Sequence, residues 1–513
     1  MEIVKRIPIL VVVWFVTGFN ICAQSDSTKQ EQQSRIRIIN AKTLEYDDNL
    51  GKDVQRLKGS VKFENKGSIL DCDSAYFYPN NDIEAFGHIH LNQGDTLHMN
   101  SDHLHYNGSN KITTITGNVV LTDLEMTLIS DKLVFIKDQN LAYYTNGGKI
   151  INKENTLTSK KGYYNTASKM LSFKDSVELH NPEYVMFADT LRFNIITEIA
   201  FFNGPTTIVS DDSKMYTEKG WYDTKSDYTE LTYNNWFESE TQHLRADSLL
   251  YDRNLRIGKA FYNVAITDTT NKLLITGEYG QYDQTTNRSY VTEKATMVQT
   301  FETDSLFLHA DTLRLYHDTV NGLNEVYAYY NVRFFKPDIQ GISDSLTYLQ
   351  KDSIIMMYHD PVLWSKNNQL SGDTIEIELY GGEIKQLNLK KHSFIVSKVD
   401  SSIYYNQIKG RDMRAVFKNN DLDRIYVNGN GQTIYFAKSE ESESGKIIGM
   451  NKADCSNILV MVEENQISKI LFLDQPTGAL TPLSKIDPSL LKLKGYRLRH
   501  DEQPKDKFDI YRD

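Results

Sequence analysis

The sequence predicts an all-β fold built by stacking one unit many times, and three observations predict it. First, an acid followed two and four positions later by apolar or small and aromatic residues returns at Asp73, Asp102, Asp131, Asp189, Glu218 and Asp247, with Lys160 in the acid's slot. The step between these seven positions is 29 residues each time. Second, the residues around each acid alternate apolar and polar, the period of a strand with one buried and one wet face. Third, the chain holds 31 Tyr and 22 Phe with only 10 Pro, a composition that suits strands. A fixed period of this length marks a stack whose units bury their apolar faces against neighbours. The 513 residues therefore read as an elongated array rather than as several globular domains.

Taken in order, residues 1–23 read as a secretory signal peptide. Lys5 and Arg6 precede an apolar run from Ile7 to Phe19, and Ile21-Cys22-Ala23 offers a small-residue cleavage site. Attachment through Cys22 is the weaker reading, because Phe19-Asn20-Ile21 lacks the small residues such processing prefers. Residues 24–35 are polar and aperiodic, a flexible leader. Repeats fill 36–435; after Asp247 their interval loosens to 31, 33, 33 and 29, giving Glu278, Asp311, Asp344 and Asp373. A charged loop follows at 436–446, a terminal repeat at 447–475, and a proline-containing tail at 476–513.

Within a repeat, the columns two and four places after the acid share one strand face. The column three places before it (Met99, Leu128, Leu157, Met186, Met215, Leu244, Ile275, Leu308, Leu370) has the opposite parity. Both columns stay inside only if the strand bulges or turns a corner at the acid. The acid is read as a cap on that corner, bonding local N–H groups as Asp does in turns. A Gly or Asn turn about fifteen residues later leads into a second strand, as at Asn118–Thr122 and Thr206–Ser210. One repeat is thus expected to add one strand to each of two facing sheets, about 4.8 Å, so thirteen repeats span on the order of 60 Å.

The lining expected from these columns is Phe77, Met99, Leu104, Tyr106, Leu128, Leu133, Phe135, Tyr164, Met186, Leu191, Phe193, Tyr222, Leu244, Leu249, Tyr251, Tyr282, Leu308, Leu313 and Tyr348. The opposite face carries Lys132, Lys161, Arg192, Lys219, Arg314 and Glu376, which argues against an outer-membrane barrel, whose outward face must be apolar. Loss of Glu2, Lys5 and Arg6 with the signal peptide moves the formal charge from −11 to −12, a poor balance for nucleic acid. His88, His90, His98, His103 and His105 crowd together, but the repeat places His103 outward with Lys132 and Lys161, so these read as surface histidines and no metal is expected. Neither a G-x-S-x-G elbow nor a phosphate-cradling glycine loop occurs. The recurring acids lack the single special pair a glycosidase needs. Neither catalysis nor a cofactor is expected. A secreted β-helix that binds polysaccharide or acts as an adhesin is the alternative, although its core is usually aliphatic where this one is rich in Tyr and Phe.

The phrases NSDHLHYNGSNKITTITGNVVL and RADSLLYDRNLRIGKAFYNVAI resemble the repeat of the OstA-like/LptA family, which includes the periplasmic LptA bridge and the N-terminal periplasmic domain of LptD. The A/S-D-x-L-x-Y start and the later G-N-V segment carry the resemblance, over about residues 36–475. YYNQIKGRDMRAVFKNNDLDRIYVNGNGQTIYF is similar to a segment of the long OstA-like proteins of Bacteroidota-type bacteria. The resemblance implies an incompletely closed, V-shaped β-jellyroll whose apolar interior holds the acyl chains of lipid A. It implies a non-catalytic lipopolysaccharide carrier in the periplasm, possible outer-membrane association, and jellyroll partners, LptC-like and LptD-like, at its two ends.

Overall fold

The computed structural model describes residues 36–512, with short interruptions at 47–50, 66, 95–96, 124–125, 153–154, 241, 303, 319–322, 381–382, 400–402, 419–420, 440–446 and 464–465. The segments read as signal peptide and leader, and most of the charged loop, lie outside the described residues. The chain divides into two compact units, an N-terminal one ending at Gly258 and a C-terminal one beginning at Lys259.

In the N-terminal unit, successive strands of 10–12 residues run antiparallel: Leu97–Asn107, Ile112–Thr122, Thr127–Ile136, and later Met170–Asn181, Tyr184–Asn194, Ile199–Val209 and Ser213–Asp223. Every one of these pairings breaks register near the acid. Between Leu97–Asn107 and Ile112–Thr122, pairing runs to Asn100↔Val120 and resumes at His103↔Thr116. The break is the corner demanded by the apolar columns. Met99 and Ser101 are buried before it and Leu104 after it, so the buried parity flips across Asp102. The same break recurs at Ala188/Leu191 and at Asn203/Thr206.

Each strand therefore contributes one half to a first wall, containing the residues before the acid, and one half to a second wall, containing those after it. Where the corner is sharp the halves become separate strands. Leu141–Tyr144 pairs with Lys161–Asn165 in the second wall, while Gly148–Asn152 pairs with Asn155–Ser159 in the first. Among the described residues the two walls do not pair with each other away from the corners. The fold is an antiparallel two-walled jellyroll, not closed into a barrel. A β-helix stacks parallel coils, so the alternative fold is excluded.

One expectation is corrected. A 29-residue repeat holds two bent strands, for example Leu97–Asn107 and Ile112–Thr122, and each crosses both walls. A repeat thus adds two strands per wall, about 9.6 Å rather than 4.8 Å. The segments expected as second strands, Asn118–Thr122 and Thr206–Ser210, lie in the first-wall halves of the longer strands Ile112–Thr122 and Ile199–Val209, with Ser210 just past the second.

The C-terminal unit repeats the plan. Arg288–Thr300 pairs with Ser305–Asp318 across a break at Thr292/Ala295, and Ser305–Asp318 with Leu323–Lys336 across His309/Thr312. The final corner strands are Asp421–Lys438 and Ile447–Glu463, broken at Asn428/Gly431. Strand pairing continues into Thr477–Pro482, which joins the first wall beside Ile447–Glu463. Beyond it the chain turns and runs back over the outside of that wall.

Candidate functional site

The interior between the walls is the candidate site, and its shape starts at the corners. Asp102 Oδ2 accepts a hydrogen bond from Asn118 Nδ2 at 2.8 Å, and Asp311 Oδ2 from Asn331 Nδ2 at 3.1 Å. His88 Nδ1 lies 2.7 Å from Asp73 Oδ2, and His392 Nδ1 lies 2.9 Å from Asp373 Oδ1. All four partners have positive φ, between 44° and 54°. Here the carboxylate does not cap its own turn as expected. It holds the left-handed residue of the neighbouring strand's corner, because the bulge carries that residue's side chain across to it. The adjacent glycines fit the same arrangement: at Gly117, φ +77°, a Cβ would stand 2.6 Å from the Asp102 carboxylate.

From each corner the apolar columns point inward. In the N-terminal unit Met99, Leu104, Leu128, Leu133, Tyr164, Met186, Leu191, Phe193 and Tyr222 join one buried cluster, with Phe77, Tyr106, Leu244 and Leu249 packed against it. Phe135 and Tyr251 are half-buried. In the C-terminal unit Leu308 and Leu313 lie inside a second cluster, Tyr348 packs on it, and Tyr282 is half-buried. None of the nineteen faces outward as an exposed residue. A gradient crosses the set. Residues near the corners, such as Leu191 and Leu313, are fully buried, whereas six of the nine aromatic residues four places after the acid are half-buried.

Three repeats replace the leucine by glycine, at Gly162, Gly220 and Gly280, and close packing explains the first two. The Tyr144 ring fills the space at Gly162, where a Cβ would meet it at 2.3 Å, and its hydroxyl lies 2.7 Å from Ser159 Oγ. At Gly220 a Cβ would meet Leu231 Cδ2 at 2.7 Å. A neighbour's side chain thus keeps the lining apolar where the repeat's own residue has none. Burial raises the pKa of the Tyr144 and Tyr222 hydroxyls, so both stay neutral, and Tyr222 donates to Asp227 Oδ1 at 2.6 Å.

Charge stays outside. Lys132, Arg192, Lys219 and Arg314 are exposed; Lys161 pairs with Asp175 at 2.6 Å and Lys390 with Glu376 at 2.5 Å. His90 and His98 each bond an asparagine, Asn100 and Asn92. Cys72 and Cys455 are free thiols, and burial pushes Cys72 up to about 12.

Sequence reasoning missed the segment after Pro482, which lies along the outer face of the first wall in the C-terminal unit. The signal was present: Val362-Leu363-Trp364 and Phe394-Ile395-Val396 are apolar without alternation, the pattern of strands covered on both faces.

The family described as OstA-like protein matches residues 33–189 and 200–302. The family described as LptA/(LptD N-terminal domain) LPS transport protein matches residues 274–382. The crystal structure of LptH, the LptA-homologous periplasmic component of the lipopolysaccharide transport device of Pseudomonas aeruginosa, aligns at 10% identity. That alignment covers 21% of this chain and 81% of that one, with a TM-score of 0.20. No curated protein matches the chain.

Proposed function

Because this chain belongs to the OstA-like protein family, we propose that it is a non-catalytic periplasmic carrier that takes lipopolysaccharide by its acyl chains and passes it toward the outer membrane. The observation that carries this reading is the parity flip at every corner. Within each unit it turns the apolar columns of both walls onto a shared interior and leaves charge on the outer faces. Each methylene moved from water into such an interior gains about 0.8 kcal/mol, so a twelve-carbon chain gains roughly 10 kcal/mol. Successive repeats offer nearly the same lining, so a lipid shifted by one repeat has nearly the same energy and can slide.

The walls already touch: Met186 of the first and Leu191 and Phe193 of the second share one buried cluster, and the latter two have no exposed surface. An acyl chain must either lie along the half-buried aromatics or part the walls, and parting them offsets much of the transfer gain. The phosphates of lipid A stay in solvent: the chain is acidic, and the outward-facing Lys161 and Lys390 are already ion-paired.

The ends supply contact points for partners. Arg37–Asn40 and Thr43–Tyr46 pair along one edge with Gln55–Asn65 and leave Ile39, Leu44 and Tyr46 exposed. In the C-terminal unit Gln466–Leu473 and Thr477–Pro482 leave Leu473 and Leu480 exposed. Unpaired edges of this kind accept another strand, so jellyroll proteins, LptC-like and LptD-like, are the proposed partners.

The test places photocrosslinking residues at Tyr106 and Tyr282, which are half-buried and tolerate replacement better than Phe193. Adducts whose mass is that of a lipopolysaccharide support the carrier; adducts only with protein, or none from either position in living cells, refute it. Crosslinkers near residues 40 and 470 are expected to trap jellyroll proteins, and failure at both ends removes the bridging part.

A further inference from the structure

The segment from Leu483 to Tyr511 crosses the outer face of the first wall of the C-terminal unit, and three buried glutamines receive it. Gln407 Nε2 donates to Leu491 O at 2.8 Å, and Leu493 N donates to Gln407 Oε1 at 2.9 Å. Gln369 repeats the arrangement with Arg497 O and Arg499 N, both at 2.8 Å. Gln340 Oε1 accepts from Gln503 Nε2 at 2.8 Å. A side-chain amide offers one donor and one acceptor side by side, as a peptide unit does, so Gln407 and Gln369 each act as a short piece of paired strand, while Gln340 meets the side chain of Gln503. The contacts advance six residues along the segment each time (491, 497, 503), while the wall advances two strands, about 9.6 Å. Further along, Arg333 Nη1 reaches Glu502 O at 3.5 Å and Thr296 Oγ1 bonds Tyr511 Oη at 3.0 Å. Apolar residues seal the contact: Leu493 joins Phe394, Val396, Val399, Ile434, Phe436 and Met450, and Ile510 has no exposed surface.

The walls of this unit are consequently unequal. In the first, Leu363, Leu370 and Ile395 are buried inside while Trp364, Gln369 and Val396 are buried outside. The outer face of the second wall carries half-exposed side chains such as Tyr327, Met356 and Glu376. In the N-terminal unit the outer face of the first wall leaves Ile129, Phe187 and Val209 exposed.

We propose that residues 483–511 form a strap that fixes the first wall of the C-terminal unit as a backboard, so that an apolar guest enters this unit by displacing the second wall alone. The entry part rests on the carrier reading above; the strap's hold on the wall does not. Strands covered on both faces must shed the cover before they open, so their amides exchange slowly.

Hydrogen exchange on the full chain tests both parts. Without guest, first-wall segments 393–398 and 405–410 are expected to exchange about 10-fold more slowly than second-wall segments 374–380 and 412–418. In the Gln369→Met, Gln407→Met double variant that difference is expected to shrink to about threefold or less as the strap's own amides lose protection. Equal exchange of the two walls in the unaltered protein overturns the strap, a result that does not depend on how the variant folds. With purified lipid A in detergent micelles, changes confined to the second wall support the inference, and equal changes in both walls overturn it. No change in either wall overturns the carrier reading and the entry route together, while the guest-free comparison still decides the strap.

Discussion

At the scale of single residues, the corners carry the most specific demands. Gly117 combines φ +77° with a Cβ position 2.6 Å from the Asp102 carboxylate. Gly117→Ala therefore meets backbone strain and a clash at once, and is expected to cost about 1–3 kcal/mol in denaturant unfolding. Adding Asp102→Ala relieves the clash but not the strain, so the double variant is expected to recover part of the loss; no recovery would show that the carboxylate is not the obstacle. At the first corner, the bond to Asp73 raises the His88 imidazole above its ordinary 6.5. A histidine whose folded pKa is raised adds stability that is full below the unfolded value and fades as pH rises through the folded one. Nuclear magnetic resonance titration of His88 is expected to give a value above 6.5 that falls back in Asp73→Asn. An unchanged titration would mean that the pair does not form in solution.

At the scale of the strand, the parity of two columns made the corner legible before any coordinates: Met99 and Leu104 cannot both face inward on an unbroken strand. What stayed hidden was the strand between the cues. Ile112–Thr122 carries no acid, and its corner at Gly117-Asn118 looks in sequence like a simple turn, so the sequence suggests one strand per wall where the repeat holds two bent strands. Gly162 and Gly220 show a second limit. The column looks interrupted in sequence, and only packing shows Tyr144 and Leu231 filling those places. The element-scale prediction concerns that filling. Tyr144→Ala removes the ring over Gly148 and Gly162 and leaves a void worth about 3–5 kcal/mol. A double variant restoring bulk with Gly162→Leu is expected to recover stability, and a further loss would mean that the space cannot be filled from that strand.

At the scale of the molecule, each unit was foreseeable as a stack of neighbours, and the strap was not, because its partners lie far away in sequence. Leu493 meets Gln407 across 86 residues, and Tyr511 meets Thr296 across 215. No local period encodes such a pairing; its only trace is the loss of alternation at Val362–Trp364 and Phe394–Val396. Nearest-neighbour stacks open gradually from their ends, whereas a segment spanning many strands makes them open together. Native-state exchange with rising denaturant is expected to show protection decaying strand by strand in the N-terminal unit. In the first wall of the C-terminal unit, segments from 296–300 to 405–410 should merge into one opening event. Separate events along that wall would show that the strap adds no cooperativity.

The bond between Thr296 and Tyr511 also sets a timetable. The strands around Thr296 are made 215 residues before Tyr511, and they must wait, partly bare, for the segment that roofs them. Loss of residues 483–511 would leave that surface uncovered and sticky. The strap thus closes over strands that were made well before it.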